Sequence, residues 1–229
     1  MDKALLQQIA GVFGYTALFA VLLFVPAGRI DWWQAWVLLG VLLVVRLIGT
    51  LDVWRVNREL LIERSGLPVR QDQPLADKVL LLACMASYAA LVAFCAWDVH
   101  HLPLLAPPVP IVSGLGLLLF AAGWLMIARV LKTNAFAATV IRHQQDRGHT
   151  VVDTGVYSVV RHPMYASLFP VMAGLSLWLG SSAGALLSLV PMAILAARIV
   201  LEERFLKQKL AGYAEYTQKV RWRLIPGIW

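Results

Sequence analysis

The sequence predicts an all-α integral membrane protein of about six transmembrane helices, the last two a tight hairpin, with a cytoplasmic link before that hairpin and a helical tail after it. Three observations predict this class. Of 229 residues, 60% are hydrophobic and 14% charged, with a mean hydropathy of +0.71, against roughly 45–50% apolar and about 25% charged in soluble domains. The apolar residues gather into six stretches, about 5–25, 34–51, 79–97, 111–131, 164–180 and 183–201, each near or somewhat under the ~20 residues a span needs. The basic residues, finally, avoid alternate loops.

The first stretch ends in Val25-Pro26-Ala27-Gly28. No short basic-then-apolar leader with a small-residue cleavage site precedes it, so Leu5 to Val25 is expected to be a retained helix. Trp32, Trp33 and Trp36 stand where the second stretch enters the membrane, and Trp97 where the third leaves it, as an interfacial aromatic belt requires. They are read as anchors and not as a cofactor box. Cys84 and Cys95 share the third stretch. At ~1.5 Å per residue they lie roughly 16 Å apart along one helix, too far for a disulfide, and are expected to be small core residues. The proline-rich "LPLLAPPVP" ends that helix and starts the next. Only Ser181 and Ser182 separate the last two stretches, hence the hairpin.

Topology follows from charge. The second loop (for example Arg58, Arg64 and Arg70), the link from Lys132 to Pro163, and the tail together hold fifteen Lys and Arg, and the odd-numbered loops one. The positive-inside rule therefore places both termini and that link in the cytoplasm. The net charge of +7 is spread along these loops and is not gathered into one face or tail, which argues against nucleic acid. No metal is expected: His100 and His101 fall in an outer loop, and His143, His149 and His162 form no compact multi-ligand motif.

Chemistry concentrates in "TGVYSVVRHPMY", Thr154 to Tyr165, at a membrane boundary. Pro163 suits the first turn of the fifth helix, with His162 near its N-cap. A helix start offers free N–H groups and about half a positive charge to a carboxylate or phosphate, and Arg161 and His162 are expected to reinforce it. The competing bland reading has Arg161 snorkelling to lipid phosphate. At the other end of the hairpin, "ARIVLEERFLKQ" places Arg198 inside the sixth stretch, four residues before Glu202. Intramembrane ionisable groups are costly and usually face a cavity or partner. A local ion pair is a weak reason for keeping both, because base precedes acid along the helix. The hairpin brings His162, Tyr165, Arg198 and Glu202 to one level. A helix start facing a glutamate suits a zwitterionic amino-acid group, such as that of S-adenosylmethionine.

The ordered set Thr154-Gly155-Val156-Tyr157, Arg161-His162-Pro163-x-Tyr165, Arg198-x-x-x-Glu202-Glu203 and the tail "GYAEYTQKVRWRLIPGIW" resembles the isoprenylcysteine carboxyl methyltransferase family of membrane enzymes, kin to the phospholipid N-methyltransferases. The resemblance covers about residues 132–229, with a fainter echo in "NRELLIERSG". It implies a division into residues 1–131, transmembrane helices with a cytoplasmic loop, and residues 132–229, an S-adenosylmethionine-binding methyltransferase region. By the same resemblance, His149, Thr150, Val151, Val152, Tyr157, His162, Pro163, Met164, Tyr165 and Glu202 line the cofactor site, Arg198 is the catalytic arginine that meets the substrate, and Asn134 and Phe136 open the link. Two departures stand out. Ser167 replaces the family's glycine two residues after the tyrosine, and Arg142 occupies the slot of a glutamine, with Gln144 and Gln145 nearby.

The implied reaction is methyl transfer from S-adenosylmethionine to a lipophilic or prenylated acceptor that enters from the bilayer, most simply a carboxylate. Three alternatives stay open: phospholipid amine methylation, which an arginine beside a cationic acceptor disfavours; an NADPH-dependent membrane sterol reductase, which the acid pair Glu202-Glu203 disfavours; and a non-catalytic membrane scaffold.

Overall fold

A computed structural model describes residues 2–66, 73–137, 139 and 148–229. The described chain is helical, in the order α1 (Lys3–Ala27), α2 (Trp33–Val56), α3 (Arg58–Arg64), α4 (Leu75–His100), α5 (Pro110–Thr133), a 3-10 turn (Gly155–Ser158), α6 (Pro163–Leu179), α7 (Ser182–Leu187), α8 (Leu189–Lys209) and α9 (Tyr213–Lys219). Five stretches are long and apolar enough to cross a membrane: α1, α2, α4, α5 and the run Ser182–Lys209, while α6 is apolar but shorter. The chain is an integral membrane protein.

Local chemistry explains the ends. Asp2 caps α1, its Oδ1 accepting from the Ala4 N–H at 3.0 Å. Prolines open α5 and α6 at Pro110 and Pro163, with His162 as the N-cap residue, where a missing N–H costs nothing. The sixth predicted span is broken at Ser188. Pro191 has no N–H for the Leu187 carbonyl and its ring crowds that group, so α7 stops and α8 restarts. That restarted helix runs eight residues past the predicted boundary, to Lys209; Glu202 and Glu203 are paired inside the protein, while Arg204, Lys207 and Lys209 are exposed.

The hairpin turn is tight. Gly180, at φ 99°, ends α6, and Ser181 caps α7 by accepting from the Gly184 N–H at 2.8 Å. Asp98 of α4 pins this turn, accepting from the Ser181 hydroxyl at 2.6 Å and from the Leu104 N–H at 2.8 Å. The main packing partner of α6 is nevertheless α5, and that of α8 is α4. Three glycines permit the α5–α6 approach. A Cβ on Gly174 would stand 2.5 Å from the Gly116 carbonyl oxygen, and one on Gly123 would stand 2.9 Å from that of Ser167. Ser167 fits this seam because its hydroxyl folds back to donate to the Pro163 carbonyl at 2.6 Å. The backbone approach is granted by Gly123 on the facing helix.

The aromatic belt needs one correction. Trp33 and Trp36 are 60% and 56% exposed, and Trp97 is 39% exposed, but Trp32 is buried at 3%. It packs edge-on to His100, with ring centroids 4.6 Å apart. The N-cap position turns Trp32 into the bundle. Both cysteines are free, and Cys95 is buried beside Ser176.

Candidate active site

The polar residues converge at the end of the bundle where α5 finishes and α6 begins. The Tyr165 hydroxyl donates to Glu202 Oε2 at 2.7 Å and accepts from Arg198 Nη1 at 3.1 Å. Arg198 and Glu202 therefore do not pair directly; one phenol joins them. Arg198 is 5% exposed and Tyr165 6%. The sequence reading missed the principal partner of the arginine. Asp77, near the start of α4 and fully buried, accepts from Arg198 Nε at 2.7 Å and from Gln73 Nε2 at 2.6 Å. Arg198 Nη2 donates to the Thr139 carbonyl at 2.7 Å. A guanidinium has five N–H donors in one plane; three are used, leaving one on each Nη nitrogen for another acceptor among the described residues.

A second knot lies one residue on. Glu203, 3% exposed, accepts from Arg161 Nε at 2.6 Å and from Arg223 Nε at 3.0 Å, and its Oε1 lies 3.2 Å from His162 Nε2. Arg161 Nη1 also donates to the Val220 and Arg221 carbonyls at 2.6 and 2.8 Å. The snorkelling expectation for Arg161 is corrected. It is buried, and Glu203 and tail carbonyls engage its Nε and Nη1. The backbone N–H groups of Arg161 and His162 donate to the Trp222 and Arg223 carbonyls at 2.9 Å each. What the start of α6 still presents are the N–H groups of Met164 and Tyr165, which a helix cannot pair within its own first turn.

Met164, Tyr165 and Glu202 border one cleft of about 770 Å³, its open mouth included. His149, Thr150, Val151, Val152, Tyr157, His162, Pro163, Met164, Tyr165 and Glu202 all line it, together with Asn134, Phe136 and Arg161. Gly155 lets the chain turn into this wall at φ 57°, in the left-handed region glycine enters freely. His149 stacks on Phe136 with centroids 4.7 Å apart. Burial pushes the Tyr157 phenol up to about 12, so it stands there neutral. Sequence reasoning missed the far wall: Leu206 of α8 and Leu210 just past its end, with Tyr213 and Tyr216 of α9. Tyr216 donates to the Tyr157 carbonyl at 2.7 Å, so the tail closes the cleft. The run of tyrosines in "GYAEYTQ" was the available signal. Arg142, Gln144 and Gln145 lie outside the described residues. No group of three or more metal-ligating side chains occurs among the described residues.

This fold and cleft define a membrane-embedded helical protein with a two-sided polar site at one end of the bundle, and residues 111–212 match the phospholipid methyltransferase family model. The chain is 30% identical over 108 residues to a protein-S-isoprenylcysteine O-methyltransferase of Schizosaccharomyces pombe, covering 44% of this chain and 46% of that one. It is 30% identical over 112 residues to protein-S-isoprenylcysteine O-methyltransferase B of Arabidopsis thaliana, covering 48% and 57%. These alignments span about half the length of the curated relatives. A solved eukaryotic intramembrane Ras methyltransferase, isoprenylcysteine carboxyl methyltransferase, superposes with a TM-score of 0.56 at 18% identity, over 93% of this chain and 73% of that one. Over about half of its length the chain is thus similar in sequence to these methyltransferases, and its fold is that of the solved structure.

Proposed function

We propose that this chain is a membrane methyltransferase that moves a methyl group from S-adenosylmethionine to the carboxylate of a lipophilic acceptor, of the S-prenylated cysteine class. The observation that carries the reading is the Tyr165 hydroxyl, shared between Glu202 on the cleft side and Arg198 on the other. It sets a carboxylate that suits an ammonium group beside a guanidinium that suits a carboxylate.

The residues present fit the donor. The open N–H groups of Met164 and Tyr165 and the helix-start charge suit its carboxylate, Glu202 suits its ammonium, and Tyr157, Tyr213 and Val151 supply walls for its nucleoside. The bound donor supplies a methyl group activated on a sulfonium. The acceptor needs no general base, since an α-carboxyl of pKa about 3.5 is ionised at neutral pH. The work of the chain is positioning, which can reach roughly 7–11 kcal/mol. Arg198, held by Asp77 through Nε, presents its two remaining N–H donors to the acceptor and fixes which oxygen faces the methyl group. The apolar residues around it exclude the water that would otherwise solvate that carboxylate.

The charge asymmetry of the loops supports a cytoplasmic cleft. In the fold, one end of the bundle gathers the N-terminus, α3, the cleft and the tail, as the Arg58–Asp2 ion pair at 2.6 Å and the Arg198–Asp77 pair require. An amine acceptor is disfavoured, because a protonated amine would approach the donors of a guanidinium.

The test is chemical. Purified protein in lipid nanodiscs receives donor labelled at the methyl group, with an S-farnesylated cysteine acid or phosphatidylethanolamine as acceptor. Label on the cysteine acid, released by mild base as volatile methanol, supports an ester. Base-stable label on phosphatidylethanolamine refutes the carboxylate assignment.

A further inference from the structure

A second cavity, about 1440 Å³ with its open mouth, lies between α1, α2 and α5. Helices α1 and α5 both pack on α2, and an edge-on contact of Tyr15 with Trp124, centroids 5.9 Å apart, bridges them. Beneath that roof α1 contributes Gly11, which is exposed and has nothing within 4 Å of where a Cβ would stand. The wall there is open to the outside of the bundle.

Arg46 stands under the roof, its guanidinium 4.2 Å from the Tyr15 ring centroid and 4.8 Å from that of Trp124. It is ten residues before the end of α2 at Val56, so ~15 Å into the bundle at helical rise. Its Nε is buried without a hydrogen-bond partner, and no carboxylate pairs with it among the described residues. A structural brace would explain the stacking but not this. Aromatic faces attract the charge, while the N–H donors lie in the guanidinium plane and require an acceptor. Cations at such depth are costly and mark ligand pathways.

The cavity leads to the site already described. Arg64 and Thr139 line its far end, and Thr139 is the residue whose carbonyl holds Arg198. Burial lowers the Arg64 pKa, and the charges of both Arg46 and Arg198 press it the same way. Arg64 lines the same cavity as Arg46, and its Nη1 donates to the Ala137 carbonyl at 2.6 Å. Arg46 and Arg64 thus share one cavity, and Thr139 links its lining to Arg198.

We propose that this cavity takes in the acceptor from the bilayer, and that Arg46 receives its acid group there before Arg198 does. The proposal rests on the carboxyl-transfer reading. It makes Arg46 a specificity residue for a negatively charged amphiphile, apart from the donor cleft.

Equilibrium dialysis in neutral detergent, without donor, tests it with radiolabelled N-acetyl-S-hexadecylcysteine and its carboxamide, which keeps the shape and lacks the charge. The wild type should bind the acid at least tenfold more tightly. Arg46→Gln should bind both alike, and Arg46→Lys should retain part of the preference, since lysine keeps the charge but not the planar fork. Melting temperature and S-adenosylmethionine affinity serve as fold controls. No acid preference in the wild type overturns the proposal, as does a preference undiminished in both variants. Methyl transfer to the acid is scored separately: a preference that depends on Arg46 in a protein that transfers no methyl group supports the acid site and sinks the carboxyl-transfer reading.

Discussion

Asp77 offers the sharpest perturbation, because it is not among the residues that line the donor cleft and yet holds the arginine assigned to the acceptor. Asp77 is fully buried and Arg198 is 5% exposed, with Nε and Oδ1 2.7 Å apart. Removing one partner of such a pair leaves an uncompensated buried charge and costs about 3–5 kcal/mol. Removing both, in Asp77→Ala with Arg198→Met, leaves no charge, and should cost no more than about 2 kcal/mol. The coupling is then at least about 4 kcal/mol, above the ~0.5–3 kcal/mol usual for contacting residues. At ~2–4 °C per kcal/mol for a chain of this size, each single variant should melt roughly 6–20 °C lower and the double variant at most about 4–8 °C lower. A maleimide dye that fluoresces on reaction reads this directly, since Cys95 is fully buried in the folded protein and becomes reactive on unfolding. The milder Asp77→Asn keeps the shape and should lower turnover with donor affinity unchanged. Additive losses in the double variant would refute the coupling, and full turnover in Asp77→Asn would refute the positioning of Arg198.

Glu203→Gln should loosen the tail, because Arg161, His162 and Arg223 all lean on that carboxylate; faster tryptic cleavage after Arg221 and Arg223 is the readout, and an unchanged rate contradicts the clamp. Gly174→Val should cost at least about 1–3 kcal/mol as an overpacked seam, seen as a lower melting temperature, since its Cβ would press on the Gly116 carbonyl. The raised Tyr157 phenol gives a pH dependence. The folded protein holds that proton more tightly than the unfolded chain, so its contribution is complete below the unfolded value of about 10. That contribution is lost as pH rises toward about 12. The melting difference between wild type and Tyr157→Phe should shift by up to about 3 kcal/mol across that window and stay flat between pH 6 and 9.

What the sequence made legible was local. A proline after a histidine marks a helix start wherever the helix packs, and hydropathy marks spans without tertiary knowledge. The His149–Val152 strip and Glu202 came from a motif order that survives in one dimension. Asp77 did not, because it meets Arg198 across 121 positions and nothing in the periodicity of α4 says which helix it faces. Arg161 was misread for the same reason: its partners, Glu203 and the carbonyls of Val220 and Arg221, come from a tail that folds back over the site. The break at Ser188 was legible from Pro191, but an apolar run with no charge in it conceals such a break.

Whether the cleft takes the donor is measured by calorimetric titration of S-adenosylmethionine into the protein in nanodiscs, beside Glu202→Gln. Saturable binding is expected for the wild type and at least tenfold weaker binding for the variant. Equal affinities, or no binding by the wild type, would contradict donor binding in the cleft.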